Sequence, residues 1–346
     1  MHPFFDRSLG QIAPSTQAAV TVYPLNSLGV FEATGPDTLS FLQGQLTNDI
    51  IAPGVGQSRL AGYCTAQGRL LSTMVLGQVP TAPETQSVRG MMRLDILPAV
   101  LKRLSMFVLR AKVTLRAEAL GVAGVCAAKS QRAELAAALG HDLPETEWET
   151  LHASTGTWIA APSVKSAASS PVEPVSRWWW IAGPEHLAAC EMLSLGWRSG
   201  QASDWESMDI RAGLPWIEAH TQDLFIPQTL NLELIGGVSF TKGCYPGQEI
   251  VARSHYRGTV KKRMALGKLV PSVMPAPLPG SDIFDASQPG QPCGRLINIS
   301  VTESGTETVQ WVLFETSFEA YDRQKLRAVD DHGPIIETMD LPYSTR

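Results

Sequence analysis

The segment TKGCYPGQEIVAR (241–253) sets one cysteine, Cys244, between a Lys-Gly pair and a Pro-Gly pair. Pro246 has no N–H to donate and suits a helix start, so GQEIVARSHYR is expected to continue as a helix that Gly258 can stop. Cys244 then sits just ahead of a helix N-terminus and beside Lys242, where dipole and ammonium both favour thiolate over thiol. An accessible thiolate can act as a nucleophile, a redox group or a soft metal ligand. The other four cysteines, Cys64, Cys126, Cys190 and Cys293, are scattered without a Cys-x-x-Cys pair and read as small core residues. The seven histidines show no metal-ligand spacing. His255, eleven residues downstream, is too far along one helix to complete a cysteine-hydrolase relay.

A basic cluster follows: Arg253, Arg257, Lys261, Lys262 and Arg263, in a chain of formal net charge −5. It reads either as a solvated helix end or as a patch for a polyanion: a phosphate-bearing molecule, RNA, or the poly-γ-glutamate tail of a folate. The acidic balance argues against a generic nucleic-acid coat, and no aromatic residues can be placed among these cations from sequence alone. Direct nucleic-acid binding is therefore the weakest of these readings.

Positioning such a loop takes a folded frame, and the 346 residues suffice for two or three domains. Hydrophobic residues make up 44% and charged residues 18%, ordinary for a chain with a sizeable core. No uninterrupted apolar run approaches the roughly 18–20 residues that span a bilayer, and the first residues lack a secretory pattern. The expectation is a cytoplasmic protein without a membrane partner.

GPDTLSFLQGQL predicts a helix entered at Pro36, with Leu39, Leu42 and Leu46 on one face. RLLSTMVLGQV predicts a strand after a Gln67–Gly68 turn, and VPTAPETQSVRG (79–90) a long hairpin loop. PAVLKRLSMFVL sets Val100, Leu101, Leu104 and Val108 on one helical stripe. SRWWWIAG reads as a buried strand, since aromatic residues suit sheets and fill cores. GPEHLAACEMLSLG (183–196) repeats the Gly-Pro-acid-x-Leu opening of GPDTL, which raises an internal duplication without establishing one. From about Val260 onward, KKRMALGKLV, CGRLINISVT, ETVQWVLFET and KLRAVDD look like consecutive strands of a small barrel. The fold class is α+β: a first mixed module over 18–115 completed by 205–260, a second over 116–204, and a C-terminal β-barrel over 261–346.

KGCYPGQEIVAR, with PWIEAHTQDLFIPQTLNLELIGGVSF before it and YRGTVKKR after it, resembles the YgfZ family of folate-binding proteins, which is related to mitochondrial iron–sulfur assembly factors. FEATGPDTLSFLQGQLTNDI and GYCTAQGRLL resemble the family's N-terminal segments. The resemblance implies the three-domain fold of the glycine-cleavage aminomethyltransferase (T-protein), arranged around a central cleft that holds tetrahydrofolate. It also implies service to iron–sulfur client or assembly proteins, including some that modify tRNA. By the motif, Cys244 is the reactive residue, and Lys242, Gln248 and Glu249, with Asp209 and Arg211, are the candidate cofactor-binding residues. Arg253, Arg257 and Lys261 are the candidates for the folate tail. Two positions depart from the related pattern. Aminomethyltransferases carry paired aspartates where this chain has Ser72 and Thr73. Relatives carry a pterin-binding glutamate before Ala-Gly where this chain has Arg211, with Asp209 the nearest carboxylate. A one-carbon transferase or demethylase and a non-catalytic adaptor are the two alternative functions.

Overall fold

The computed structural model describes residues 20–82, 85–164, 175–183, 197–256, 260–270, 277–304 and 307–345. Contacts divide the chain into two compact units. The first comprises Met1–Leu42, Ile50–Arg59 and Val75–Trp205, and the second comprises Gln43–Asp49, Leu60–Met74 and Glu206–Arg346.

A five-stranded antiparallel sheet has the order β3 (Ser58–Cys64), β4 (Leu70–Val79), β5 (Ser87–Arg93), β2 (Leu28–Thr34), β6 (Thr114–Glu118). The unit boundary passes within β3 and β4. The loop expected over 79–90 joins β4 to β5, with Val79 opposite Ser87. Helix α1 (Thr38–Gln43) is shorter than its sequence pattern: Leu42 is buried within it, and Leu46 lies beyond it, bridged to Tyr63. Helix α2 (Leu97–Ser105) buries Leu97, Val100, Leu101 and Leu104. It stops before Val108, because Phe107 and Val108 donate to Leu104 and Ser105 carbonyls three residues back and tighten the chain into turns.

The first unit also holds a six-stranded sheet: β11 (Arg198–Ser199), β1 (Val20–Pro24), β7 (Gly121–Ala128), β10 (Val175–Ala182), β9 (Gly156–Ala160), β8 (Thr150–Ala153). The tryptophan run lies on β10, as its composition predicts. Trp178 and Trp180 enter a core shared with Leu135 and Leu139 of α3 (Arg132–Leu139), and Trp180 stacks on Trp158 at 5.1 Å between ring centroids. Trp179 turns to the opposite face, 6.0 Å from Trp148 and 6.1 Å from Trp205. Three indoles in a row fit because the neighbouring strand is built of small residues. Gly124 stands opposite Trp179, and a Cβ there would come within 2.1 Å of the Trp205 ring. Each buried indole removes about 150–250 Å² from water, roughly 4–6 kcal/mol as an upper bound. The related helix expected over 183–196 lies, from residue 184 on, outside the described residues.

In the second unit a six-stranded sheet has the order β16 (Leu326–Ala328), β13 (Asp282–Asp285), β14 (Pro292–Ser304), β15 (Glu307–Ser317), β12 (Lys262–Leu269), β17 (Ile336–Met339). The expected small barrel is this sheet, curled into a half-barrel around Ile283, Leu296, Val312, Phe314 and Leu326. A bridge from Arg327 to Ile335 links its terminal strands. Register shifts between Leu296 and Asn298, a bulge that re-aims a side chain. Asn298 uses it: its amide accepts from the Trp216 N–H at 2.9 Å and donates to the Trp216 carbonyl at 2.7 Å. No helix among the described residues is long and apolar enough to cross a membrane.

Candidate functional site

The cysteine loop is built on the tip of the β3–β4 hairpin. Thr65 and Gly68 close that tip: the Thr65 N–H donates to the Arg69 carbonyl at 2.8 Å, and the Gly68 N–H donates to the Thr65 carbonyl at 2.9 Å. The loop meets it backbone to backbone at Gly247, whose φ of +81° favours glycine. A Cβ on Gly247 would lie 2.5 Å from the Thr65 carbonyl oxygen and 2.6 Å from Gly68 Cα. Helix α5 (Gln248–Tyr256) then begins one residue later than Pro-Gly alone suggests, leaving Cys244 four residues ahead of it.

Along 242–245 side chains go in, out, out and in. Lys242 and Tyr245 are buried at 8% and 6% exposure, while Gly243 and Cys244 face solvent. Lys242 is an anchor beneath the loop. Its Nζ donates to the Gln43 and Leu46 carbonyls and stands 4.9 Å from the Tyr245 ring centroid. Burial lowers this ammonium to about 8, against the opposing pull of Asp49 and Cys244. A neutral amine keeps both N–H bonds, so the anchor survives deprotonation. Between pH 8 and the unfolded value near 10.5 the unfolded chain binds the extra proton, so stability rises with pH. Relative to Lys242→Met, the wild type should gain at most about 1.4 kcal/mol per pH unit across that window. Urea titrations at both ends of the window check this; a difference that stays flat or shrinks rejects it.

Tyr245 is held far above its ordinary value by burial, with Cys64 nearby adding to the rise, and its hydroxyl has no partner among the described residues. Burial likewise pushes the Cys64 thiol up to about 12, which makes it an inert core residue. Cys126 is also buried and Cys293 half-buried; Cys190 lies outside the described residues. Cys244 is the exposed thiol of the four described.

The basic cluster separates by role. Arg263 is drawn inward to Glu233 and the Gln228 carbonyl. Lys262 faces Glu315 at 3.9 Å. Arg253 and Lys261 are exposed, and Arg253 lies 3.9 Å from Glu249 across one turn of α5. Such an exposed pair contributes little to stability. Gln248 is half-buried beside it. Arg257 lies outside the described residues. A cavity of about 470 Å³ in the same unit is walled by Arg69, Lys262, Arg295, Asp282 and Glu315. Arg295 pairs with Asp282 at 3.1 Å, and Arg69 donates to the Leu224 carbonyl at 2.7 Å. Burial raises the Glu315 carboxyl above its ordinary range.

No family model matches the chain. Among curated proteins it is similar to the "tRNA-modifying protein YgfZ" of Photorhabdus laumondii, at 31% identity over 337 residues, 95% of this chain and 94% of that protein. The chain belongs to the YgfZ family. The protein of the same name from Yersinia enterocolitica is 29% identical over 336 residues, with 95% and 94% coverage. Among solved structures the fold matches the glycine cleavage system aminomethyltransferase T of Bartonella henselae, with TM-score 0.66 over 95% of this chain and 88% of that one. At 14% identity that likeness shows the fold alone.

In this YgfZ-family chain Ser72 and Thr73 hold structural positions. Ser72 and Thr73 are fully buried. Thr73 Oγ1 donates to the Pro215 carbonyl at 3.0 Å and accepts from the Ile217 N–H at 2.9 Å, tying β4 to the 215–217 segment. Ser72 Oγ donates to the Thr73 carbonyl at 3.1 Å. Asp209 and Arg211 lie on α4 (Ala202–Arg211), where two residues apart means opposite sides. Asp209 is 3% exposed and accepts from the Trp216 indole at 3.0 Å. The Arg211 guanidinium lies 5.1 Å from the Trp311 ring, which Lys268 also faces at 4.6 Å.

Among the described residues, no three His, Cys, Asp or Glu side chains converge as metal ligands. A folate would need a buried acceptor for its pterin and cations for its glutamate tail. Gln228 Oε1 is buried without a donor among the described residues, an acceptor of the kind a pterin N–H edge needs. Arg253 and Lys261 are exposed cations suited to a glutamate tail. Sequence reasoning missed Gln228, Asn298 and the Phe240–His255–Tyr256 ring cluster. Their partners are remote in sequence, and no spacing signals them.

Proposed function

We propose that this chain is a tetrahydrofolate-binding accessory factor for the assembly or maintenance of iron–sulfur proteins, acting in tRNA modification in the cytoplasm. Its reactive group is the Cys244 thiol, and Lys242, Gln248 and Glu249 shape the loop and helix that carry it. The observation behind this reading is the loop itself: an exposed thiol on a backbone held from beneath by Lys242, Tyr245 and Gly247. Chains evolve such rigid, solvent-facing loops for contact with something else. The family's printed name supplies tRNA modification, and the sequence resemblance supplies folate and the iron–sulfur clients.

One thiolate cannot hold a cluster that needs about four ligands. Cys244 therefore acts on iron–sulfur proteins as a transient ligand or contact, with a client or assembly protein contributing the rest. A one-carbon transferase needs an ionised carboxylate at the hairpin, and Ser72 and Thr73 give their hydroxyls to the backbone there. The non-catalytic adaptor is separated by the cysteine substitution below.

Anaerobic titration of tetrahydrofolate into the wild type and Cys244→Ser, followed by heat or tryptophan emission, tests the folate half. Saturable binding by both is expected, since the thiol is not a folate-binding group. Absence of binding by both overturns it.

A further inference from the structure

We propose that Phe240, His255 and Tyr256 form a stacking platform for an unpaired RNA base, with Arg253 and Lys261 taking the flanking phosphates. The choice of RNA over other aromatic ligands rests on the tRNA reading above.

The fold assembles what the sequence separates. Phe240 lies four residues before Cys244, and His255 and Tyr256 form the last turn of α5. The Phe240 and His255 rings are nearly parallel, at 3.9 Å and 16°. Tyr256 stands edge-on to both, at 5.9 Å and 69° from Phe240 and 4.8 Å and 82° from His255. The first pair explains itself structurally, because it pins the loop to the helix. Tyr256 is not explained that way: it is 68% exposed, and its ring touches the cluster by an edge.

A continued stack is the natural use of such a corner. Every base offers a π-face, and stacking on exposed aromatic rings holds single strands with little sequence preference. Arg253 precedes His255 by two residues on the same helix and Lys261 follows Tyr256 by five, both exposed in a chain otherwise acidic, which favours a phosphodiester strand over a basic partner. A base held here lies on the same loop and helix as the Cys244 thiol. The acidic balance of the chain and the absence of a local aromatic pattern argue against nucleic acid in the sequence; the ring cluster forms only in the fold.

The test uses the full chain, an RNA hairpin with an unpaired loop, and an RNA duplex of equal length, followed by fluorescence anisotropy across a salt series. The hairpin should bind more tightly than the duplex. Tyr256→Ala should weaken hairpin binding roughly tenfold while leaving the melting temperature unchanged. Arg253→Gln and Lys261→Gln should each reduce the salt slope by about 0.7. Cys244→Ser should bind RNA like the wild type, which separates this platform from the thiol, and Tyr256→Ala should bind tetrahydrofolate like the wild type, which separates the platform from the folate reading. Equal affinity for hairpin and duplex, an unaffected Tyr256→Ala, or no binding at low salt overturns the proposal. In the last case, the surface belongs to a protein partner.

Discussion

Under the proposed function, Cys244→Ser should leave the protein folded and able to bind tetrahydrofolate but should reduce tRNA modification in cells to the level of a deletion strain. The thiol is exposed, so exchange of sulfur for oxygen should change stability by no more than about 0.5 kcal/mol. A serine hydroxyl does not ionise near neutral pH and is a poor ligand for soft metals, so any chemistry that needs sulfur is lost outright. The measurement is complementation: modified-nucleoside content of tRNA in a deletion strain carrying wild type or variant, with urea denaturation of both proteins alongside. Full complementation by Cys244→Ser would sink the chemical role and favour the adaptor, in which the loop is only a shape.

Gly247→Ala carries the largest expected stability effect. At φ +81° an alanine costs about 1 kcal/mol or more in backbone conformation alone. Its Cβ would then lie 2.5–2.7 Å from the Thr65 oxygen and the Gly68 Cα and nitrogen. These are backbone atoms that cannot rotate away, so either the loop lifts off the hairpin or the hairpin tip shifts, for a total of about 3 kcal/mol. The control is Gly243→Ala, where a Cβ meets nothing within 4 Å. Urea denaturation of both variants, with complementation for each, decides the matter. If Gly247→Ala stays within about 0.5 kcal/mol of Gly243→Ala, the hairpin does not position the loop.

Local signals were read from the chain correctly where one element decides them. The tryptophan strand, the β4 strand after its Gln67–Gly68 turn, and the C-terminal strands all follow from propensity and alternation, which act over a few residues. Helix ends were read less well. The stripe of α2 continues to Val108, yet the helix ends at Ser105, because local turn bonds compete with periodicity there.

The site divides in the same way. By itself the sequence determined that Cys244 stands apart from its fellow cysteines, that a helix follows it, and which family the chain belongs to, because a contiguous motif carries all three. Only the tertiary structure decided that Lys242 is buried under the loop and tied to the Gln43 and Leu46 carbonyls, since those partners are nearly 200 residues away. It likewise decided that Thr73 ties β4 to the 215–217 segment, and that Phe240 meets His255 and Tyr256. Contacts between residues remote in sequence depend on how whole elements pack, and no local pattern of residues specifies them.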